Sequence, residues 1–518
     1  MNRYQSLIIA LLLAVVAVAQ DLSDLLPRDR RGTLRAHHAL RRAGGQDRGP
    51  GGDYFTGNRR QLTILAEFAD QAFAGDEQAT LSRWNTILNT PDLNESPFVG
   101  SIHDYFADQS YGQLNLTFDL LYIRVGKRER YRSTDEDDEN SQYLVQDLVD
   151  SLLLRSIDWS LYDWNGDGYI NQLLIIFAGK GSSYGGFGGG NDAIWPHQWW
   201  LTEHLKDRQK GTYCSARTVE SGGKTYLVDC YCAVQELTNS DTYGSFGTLC
   251  HEYSHCFGFP DFYDYDHNRT PGKWDLMDRG CYNGGGFCPV AYSAHERWLM
   301  GWLTPTELTA TTDITDMPAL ADQPVAYLIR NDGYADEYYI LENRQPTRWD
   351  ASLPGAGLVV FHIDYSPQLW LLSNNLNAGD KQHYVIIGAN GKTSYTYSSG
   401  WAYPYQNCNE LTNTSSPAAT LWNANTDGSL LMSKPVTAIS VTDGSAAVAS
   451  FRFMPTTTDN VWVKSDHPLP ENGAPASNAQ RGVLEGRAGE GPAKLIRHGQ
   501  LLILRHGKTY TVTGQEIK

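Results

Sequence analysis

The sequence predicts an α+β fold, in which a core of one twisted sheet and several helices precedes a β-rich part and a small β tail. Apolar residues at helical spacing over 141–157 and a continuous apolar run at 173–178 predict the mixed core. From about residue 316, short alternating strands separated by turn residues predict the β-rich part. Two Arg-His-Gly repeats between Leu/Ile runs in 495–518 predict the hairpin-like tail.

The N-terminal part is predicted to lie outside the folded core. Residues 1–19 combine a basic Arg3, an apolar run and a small-x-small cleavage site, which predicts a secretory signal peptide, with an N-terminal anchor as the alternative. Residues 20–58 are poor in large apolar groups, so we expect either a propeptide or a disordered linker. Dibasic pairs, of which Arg59-Arg60 is the last, are expected to be exposed to a processing protease. After residue 19 no apolar run has spanning length, which predicts a mature form without a membrane span.

Apolar patterns predict the first core elements in order. Buried strands are expected at 62–68 and 173–178, and a half-buried strand at 114–118. A helix is expected to end at Gly112. Residues 141–157 should form a long helix behind the one that carries His251 and His255.

Oxygen-bearing side chains alternate along 163–171, as they do in the first half of a calcium loop. The glutamate expected at the twelfth position is missing, because Leu174 stands there, so an EF-hand is excluded. The segment is predicted to be either a shorter calcium loop or an Asx-rich turn. The candidate calcium ligands are Asp163, Asn165, Asp167, Tyr169 and Asn171.

His251 and His255 are four residues apart, which places both imidazoles on one face of a helix, where they can bind one Zn²⁺. Glu252 projects beside that metal and can remove a proton from an attacking water. Gly258 can adopt a positive φ and end the helix, after which Asp261 can return as a third ligand. Three protein ligands leave one position open, which is typical of a catalytic zinc site.

Two other interpretations of this motif remain open. The histidines could belong to a surface helix and be solvated, with no metal. The third ligand could instead be a more distant glutamate such as Glu296, as in thermolysin-like enzymes.

The motif and two later segments resemble the immune inhibitor A family of secreted bacterial zinc metalloproteases. The segments are His-Glu-x-x-His-x-x-Gly-x-x-Asp at 251–261, Trp-Asp-Leu-Met at 274–277 and Arg-Trp-Leu-Met-Gly-Trp-Leu at 297–303. The resemblance covers about 60–455 and implies a metzincin-like core with Met277 beneath the metal. Glu236 matches a family glutamate whose role the sequence does not reveal. Arg279 stands where metzincin relatives have an auxiliary tyrosine, and Tyr282 is the candidate replacement.

Cysteine content and charge restrict the cellular context and the partners. Eight cysteines and a signal peptide predict disulfides in an oxidising compartment, with Cys281–Cys288 as the favoured local bridge. A net charge of −17 and a pI of about 5.2 predict no nucleic-acid or anionic-membrane partner.

We therefore predict a secreted or cell-surface zinc endopeptidase, a monomer, that acts on protein or peptide substrates and carries Ca²⁺ as a second candidate metal. The terminal segment resembles the sorting tails of bacterial proteins exported by the type IX system, and a capping hairpin is the alternative. The alternative function is a surface adhesin that keeps the zinc protease fold. The expected domains are a signal peptide (1–19), a propeptide (20–58), a catalytic domain (59–315), a β-rich subdomain (316–455), a linker (456–494) and the tail (495–518).

Overall fold

The computed structural model divides the chain into two units, 1–460 and 461–518, which are described separately. Side chains are described for 55–132, 140–182, most of 194–207, 212–238, 241–264, 269–366, 369, 376–444 and 446–455, and only the backbone for 493–497, 500–505, 508–511 and 516–517. The predicted signal peptide, most of the predicted propeptide and nearly all of the predicted linker lie outside these residues.

The part of the first unit that precedes residue 300 contains both strands and helices. Its main elements in chain order are β1 (Gly57–Phe68), α1 (Glu77–Asn89), α2 (Ile102–Gln109), β2 (Leu114–Val125), α3 (Ser141–Leu152), β3 (Tyr169–Ile170), β4 (Leu173–Lys180), β5 (His197–Trp200), β6 (Leu205–Asp207), β7 (Thr212–Tyr213), β8 (Arg217–Ser221), β9 (Lys224–Val228), β10 (Cys230–Leu237), α4 (Phe246–Cys256) and α5 (Ala294–Leu299).

A five-stranded sheet forms the centre of this part, in the order β2-β1-β4-β10-β5. The first four strands of that order run parallel, and β5 pairs antiparallel with β10 at the end. The inner strands β4 and β10 are buried almost throughout, as is typical of a parallel sheet covered on both faces. The strand predictions at 62–68, 114–118 and 173–178 all fall within observed strands.

Helices α3 and α4 cover opposite faces of this sheet. The Tyr231 hydroxyl lies 3.1 Å from Ser141 Oγ at the start of α3, whereas the preceding side chain, Cys230, has its sulfur 3.9 Å from Cys256 Sγ in α4. Successive side chains of a strand point to opposite faces, so the expected helix behind the metal-binding helix lies across the sheet from it. This helix ends at Leu152, whereas the sequence predicted 157. The prediction was too long because the apolar pattern continues beyond the helix into exposed residues such as Leu154.

The folded part begins before the predicted boundary at residue 58. Phe55 is buried, its carbonyl accepts a hydrogen bond of 2.9 Å from Trp302 Nε1, and β1 starts at Gly57. Arg60 is exposed, as expected, and Arg59 is half-buried, but both residues lie within β1, and Arg60 forms an ion pair with Asp119. Processing at this pair stays a prediction.

The β-rich part contains two further sheets, in the orders β11-β13-β14-β15-β16 and β12-β18-β17. One face of β14 and β15 packs through Ile340 and Phe361 into the apolar core that surrounds the five-stranded sheet, and the other forms a second apolar cluster through Leu341 and Val360. The β-rich part is therefore continuous with the core. Its strands are β11 (Thr306–Glu307), β12 (Thr312–Met317), β13 (Tyr327–Arg330), β14 (Glu337–Arg344), β15 (Gly357–Asp364), β16 (Tyr384–Ile386), β17 (Val436–Val441) and β18 (Ala449–Phe453).

The second unit contains a small antiparallel sheet whose strands pair in the order in which they occur in the chain. It begins at Ala493, slightly before the predicted boundary at 495, and a sorting role stays a prediction. Within the residues that the structure describes, no helix combines the length and apolarity needed to cross a membrane. The strands of this sheet are β19 (Ala493–Arg497), β20 (Gln500–Arg505), β21 (Lys508–Thr511) and β22 (Glu516–Ile517).

Candidate metal centre

The two histidines of α4 are held in a defined orientation by backbone carbonyls. His251 Nδ1 lies 2.9 Å from Leu276 O, and His255 Nδ1 lies 2.6 Å from Phe259 O. When Nδ1 donates to a carbonyl, the neutral ring keeps Nε2 as the ligand atom, which is how metal-binding histidines are commonly oriented. The two rings are 4.8 Å apart and nearly perpendicular, at 86°. Both Nε2 atoms are thus available on the same side of the helix.

Asp261 returns to the histidine pair after a sharp turn at Gly258, whose φ is +96°. Its Oδ1 lies 3.2 Å from His251 Nε2 and 3.3 Å from His255 Nε2, and the residue is only 3% exposed. Ligands bound tetrahedrally to one zinc at 2.0–2.1 Å are about 3.3 Å from each other. Both distances from Asp261 Oδ1 to the histidine nitrogens therefore match those expected between ligands of one zinc ion.

Glu252 and Glu296 have different surroundings from Asp261. The Glu252 carboxylate and one nitrogen of each histidine lie within 4.8 Å of one another, whereas Asp261 Oδ1 lies within 3.3 Å of both Nε2 atoms. Glu296 instead accepts a hydrogen bond of 2.7 Å from Ser293 N in the capping box of α5, and burial raises its pKa well above the ordinary value. We therefore assign Asp261 as the candidate ligand and leave Glu252 beside the metal position.

The turn at 274–277 forms hydrogen bonds both to His251 and to the residue after Asp261. The Leu276 carbonyl holds His251, and the adjacent Met277 carbonyl accepts a hydrogen bond of 2.9 Å from the backbone amide of Phe262, the residue after Asp261. Met277 is fully buried and the turn contacts His251 through Leu276, whereas a place for Met277 beneath the metal stays a prediction.

Tyr263 is a site residue that sequence reasoning missed. Its hydroxyl donates a hydrogen bond of 3.0 Å to Asp261 Oδ2, and its ring lies nearly parallel to that of His251, with the centroids 6.5 Å apart. This contact fixes the carboxylate so that Oδ1 faces the histidines. The only signal in the sequence is the position of a tyrosine two residues after the candidate ligand.

The side chains of the candidate site form a charged cluster. Burial lowers the pKa of both histidines, but their contacts with Asp261 outweigh burial and raise the pKa values of His251 and His255 above the ordinary value. Burial raises the pKa of Asp261, but the charge of His255 and the hydrogen bonds from both rings lower it well below its usual range. The carboxylate thus stays ionised and attracts positive charge, which a divalent cation can supply.

The β-rich part supports the same centre. Asn377 Nδ2 donates a hydrogen bond of 2.7 Å to the Phe262 carbonyl, and the Tyr384 ring stacks on that of Phe262 with centroids 4.2 Å apart. The Tyr384 hydroxyl also donates to Asp275 Oδ2 at 3.0 Å, within the 274–277 turn. Residues after 316 therefore help to position the Asp261 segment.

The segment 163–171 has the Asx-rich turn that was one of the two predicted outcomes. Asp163 accepts hydrogen bonds from the amides of Asp167 and Gly168, and Asp167 Oδ1 accepts one from Tyr169 N at 2.9 Å. Asn165 Oδ1 also accepts a weaker bond from the Asp167 amide. The candidate calcium ligand Asn171 uses Oδ1 to accept from Trp164 N at 2.6 Å.

Glu236 has a structural role that the sequence did not reveal. Its two carboxylate oxygens accept hydrogen bonds from Ala74 N at 3.1 Å and Gly179 N at 3.0 Å, which ties together the chain segments after β1 and at the end of β4. His197 also takes part in a structural contact, with Nε2 2.9 Å from the Tyr231 hydroxyl.

The predicted local disulfide and the candidate auxiliary donor are the remaining predictions for this region. All eight cysteines are free thiols, so the expected Cys281–Cys288 bridge is absent, and Cys281 Sγ contacts the Asp278 carbonyl instead. Tyr282, the candidate auxiliary donor, is 55% exposed, and the Arg279 guanidinium lies over the Tyr395 ring.

Part of the chain is similar to known peptidases. Residues 89–301 match the family described as immune inhibitor A peptidase M6, catalytic domain. Immune inhibitor A of Bacillus thuringiensis subsp. alesti is 33% identical over 275 residues, which cover 46% of this chain and 38% of that protein. Pre-pro-metalloprotease PrtV of Vibrio cholerae serotype O1 (strain M66-2) is 29% identical over 219 residues, which cover 38% of this chain and 23% of that protein.

The chain thus spans well under two thirds of the length of either relative. The histidine pair, Asp261 and the 274–277 turn all lie inside the matched segment. The resemblance seen in the sequence is confirmed: residues 89–301 are similar to the catalytic domain of the immune inhibitor A peptidases.

Proposed function

We propose that this protein is a secreted zinc-dependent endopeptidase that hydrolyses peptide bonds in protein substrates. The observation that carries the proposal is the approach of Asp261 Oδ1 to within 3.2 and 3.3 Å of the Nε2 atoms of His251 and His255, with Glu252 beside them. A relative named as a metalloprotease supports proteolysis. The signal-like residues 1–19 support secretion.

His251, His255 and Asp261 would hold Zn²⁺, and Glu252 would be the general base. When bound, zinc would polarise the scissile carbonyl and bring the pKa of the attacking water toward about 7. Glu252 takes a proton from that water and then delivers it to the leaving amine. Its 9% exposure keeps bulk water away from the carboxylate during the transfer.

The edge of the main sheet offers a place for an extended substrate. Strand β5 ends the strand order, pairs antiparallel with β10 and contacts α4. A terminal strand can accept an added peptide strand through main-chain hydrogen bonds, which favours polypeptide substrates over small molecules. Trp199 on β5 is 40% exposed and available for side-chain contact.

The test combines cleavage and metal content for the processed protein. Glu252→Gln should lower casein cleavage by about 10²–10⁴-fold while one zinc per chain is retained. Asp261→Asn should weaken zinc binding, whereas the matched control Glu296→Gln should not, because it keeps the helix cap. Zinc-independent cleavage, or full activity of Glu252→Gln, would contradict the mechanism. A zinc-loaded wild type that cleaves no protein would favour the adhesin alternative.

Calcium at 163–171 is a second, separate proposal. Asp163 and Asp167 lie close enough for the charge of Asp167, after burial, to raise the pKa of Asp163, and cation binding would relieve that repulsion. Calcium should raise the thermal midpoint of the wild type more than that of Asp163→Asn. Equal responses would reject the site.

A further inference from the structure

Two buried thiols meet behind the metal-binding helix. Cys230 is the first residue of β10 and Cys256 the last residue of α4, and their sulfur atoms are 3.9 Å apart. The residues are only 7% and 8% exposed. They are separated by 26 positions in the sequence, so the fold rather than the local chain brings them together.

We propose that Cys230 and Cys256 form a disulfide bond when the protein folds in an oxidising compartment. Both S–H bonds break and one S–S bond forms. The two hydrogens, with the electron pair, pass to a disulfide-bearing oxidant such as glutathione disulfide, whose own S–S bond is cleaved to give two thiols. Because both thiols are buried in the folded chain, the exchange takes place during folding, before the core closes over them.

The surroundings favour this pair over the local bridge expected from the sequence. The sulfurs of Cys230 and Cys256 already lie 3.9 Å apart, and the bond requires them to approach to about 2.05 Å. Cys281 and Cys288 instead direct their sulfurs to the backbone carbonyls of Asp278 and Trp349, at 3.4 Å each.

The bond would have a consequence for the metal centre. It would close a covalent ring that contains β10, the following connection and nearly all of α4, including His251, Glu252 and His255. A cross-link of this kind restricts the unfolded chain and so favours the folded state. The metal-free helix would then stay attached to the sheet when no cation holds it.

Thiol mapping tests the proposal without any measurement of proteolysis. The full chain is refolded with a glutathione disulfide/glutathione buffer, quenched in acid, alkylated while denatured and digested. The expected result is one cross-linked peptide that contains Cys230 and Cys256, two hydrogens lighter than the sum of the free peptides. Alkylation of both residues in the oxidised sample, or their linkage to other cysteines, would overturn the proposal.

A stability measurement gives the second readout. Reduction of the oxidised, zinc-free wild type should lower its thermal midpoint by about 5–10 °C. The double variant Cys230→Ser/Cys256→Ser should not respond to reduction, whereas the control Cys408→Ser should respond like the wild type, because Cys408 lies on another part of the fold. A wild type indifferent to reduction overturns the proposal. If the double variant fails to fold, the peptide map of the wild type decides.

Discussion

The change Tyr263→Phe isolates the contribution of one hydroxyl to the metal centre. That hydroxyl donates to Asp261 Oδ2 at 3.0 Å, on the opposite side of the carboxylate from the oxygen that faces the histidines. Phenylalanine keeps the ring that lies parallel to His251 and removes only the donor. The carboxylate should then rotate more freely, and part of its alignment would be lost before any metal binds.

The size of the effect follows from the kind of hydrogen bond. A bond to a charged acceptor contributes about 1.5–3 kcal/mol, and partners of metal ligands typically change metal affinity by about 10–100-fold. Because Tyr263 is half-buried, water can replace part of the lost bond. We therefore expect the lower end of that range, a tenfold rise in the zinc Kd, which corresponds to about 1.4 kcal/mol.

Competition with a chromophoric chelator measures this Kd. The stoichiometry should remain one zinc per chain, and Tyr213→Phe is the matched control, because Tyr213 is 57% exposed on β7. An unchanged zinc Kd would refute the role given to the hydroxyl. A complete loss of zinc, equal to that of Asp261→Ala, would show that Tyr263 does more than orient the carboxylate.

Three further predictions concern the same region. Alanine is favoured over glycine in helices by about 1 kcal/mol, but at position 247 its Cβ would lie 1.9 Å from the Cys281 carbonyl oxygen. Gly247→Ala should therefore lower the free energy of unfolding, measured by chemical denaturation, by about 1–3 kcal/mol. A variant more stable than the wild type would contradict this packing. Because the pKa values of His251 and His255 are raised, protons compete with zinc for these rings near neutral pH. The zinc Kd measured in chelator titrations should therefore rise steeply as the pH falls from 8 to 6. A zinc Kd that does not change with pH would be inconsistent with this site. Burial raises the pKa of Asp275 from 3.8 to about 7, so between these values the folded state holds a proton that the unfolded state has released, and stability should fall as pH rises through this window. Asp275→Asn should flatten the stability profile between about pH 4 and pH 7, and an unchanged slope would assign it to other groups.

Local patterns in the sequence were sufficient to predict the helix and the residue types of the centre. The spacing of His251 and His255 fixes their common face, and Gly258 is needed for the turn because its φ is positive. Runs of apolar residues located the inner strands, since a parallel sheet covered on both faces buries nearly every side chain. These features depend on neighbours within a few positions.

Features that depend on contacts between distant residues could not be predicted in this way. Asn377 supports Phe262 from 115 positions away, and nothing in the local sequence of either residue indicates the contact. The same holds for Cys230 and Cys256, whose pairing was one of many possible combinations. The end of α3 was misplaced for a different reason, because Leu154 continues an apolar pattern but lies exposed.

The backbone around the 274–277 turn explains why the centre and the β-rich part form one functional unit. Two consecutive carbonyls, those of Leu276 and Met277, hold His251 and the amide of Phe262, so a shift of this turn moves two candidate ligands together. The other side of Phe262 is held by Asn377, and the turn itself is held by Tyr384 through Asp275. Because buried polar groups without partners are costly, loss of the β-rich contacts would release the Asp261 segment from one side. The β-rich part therefore stabilises the geometry on which the proposed chemistry depends, and it does so through contacts that a detachable binding module would not need.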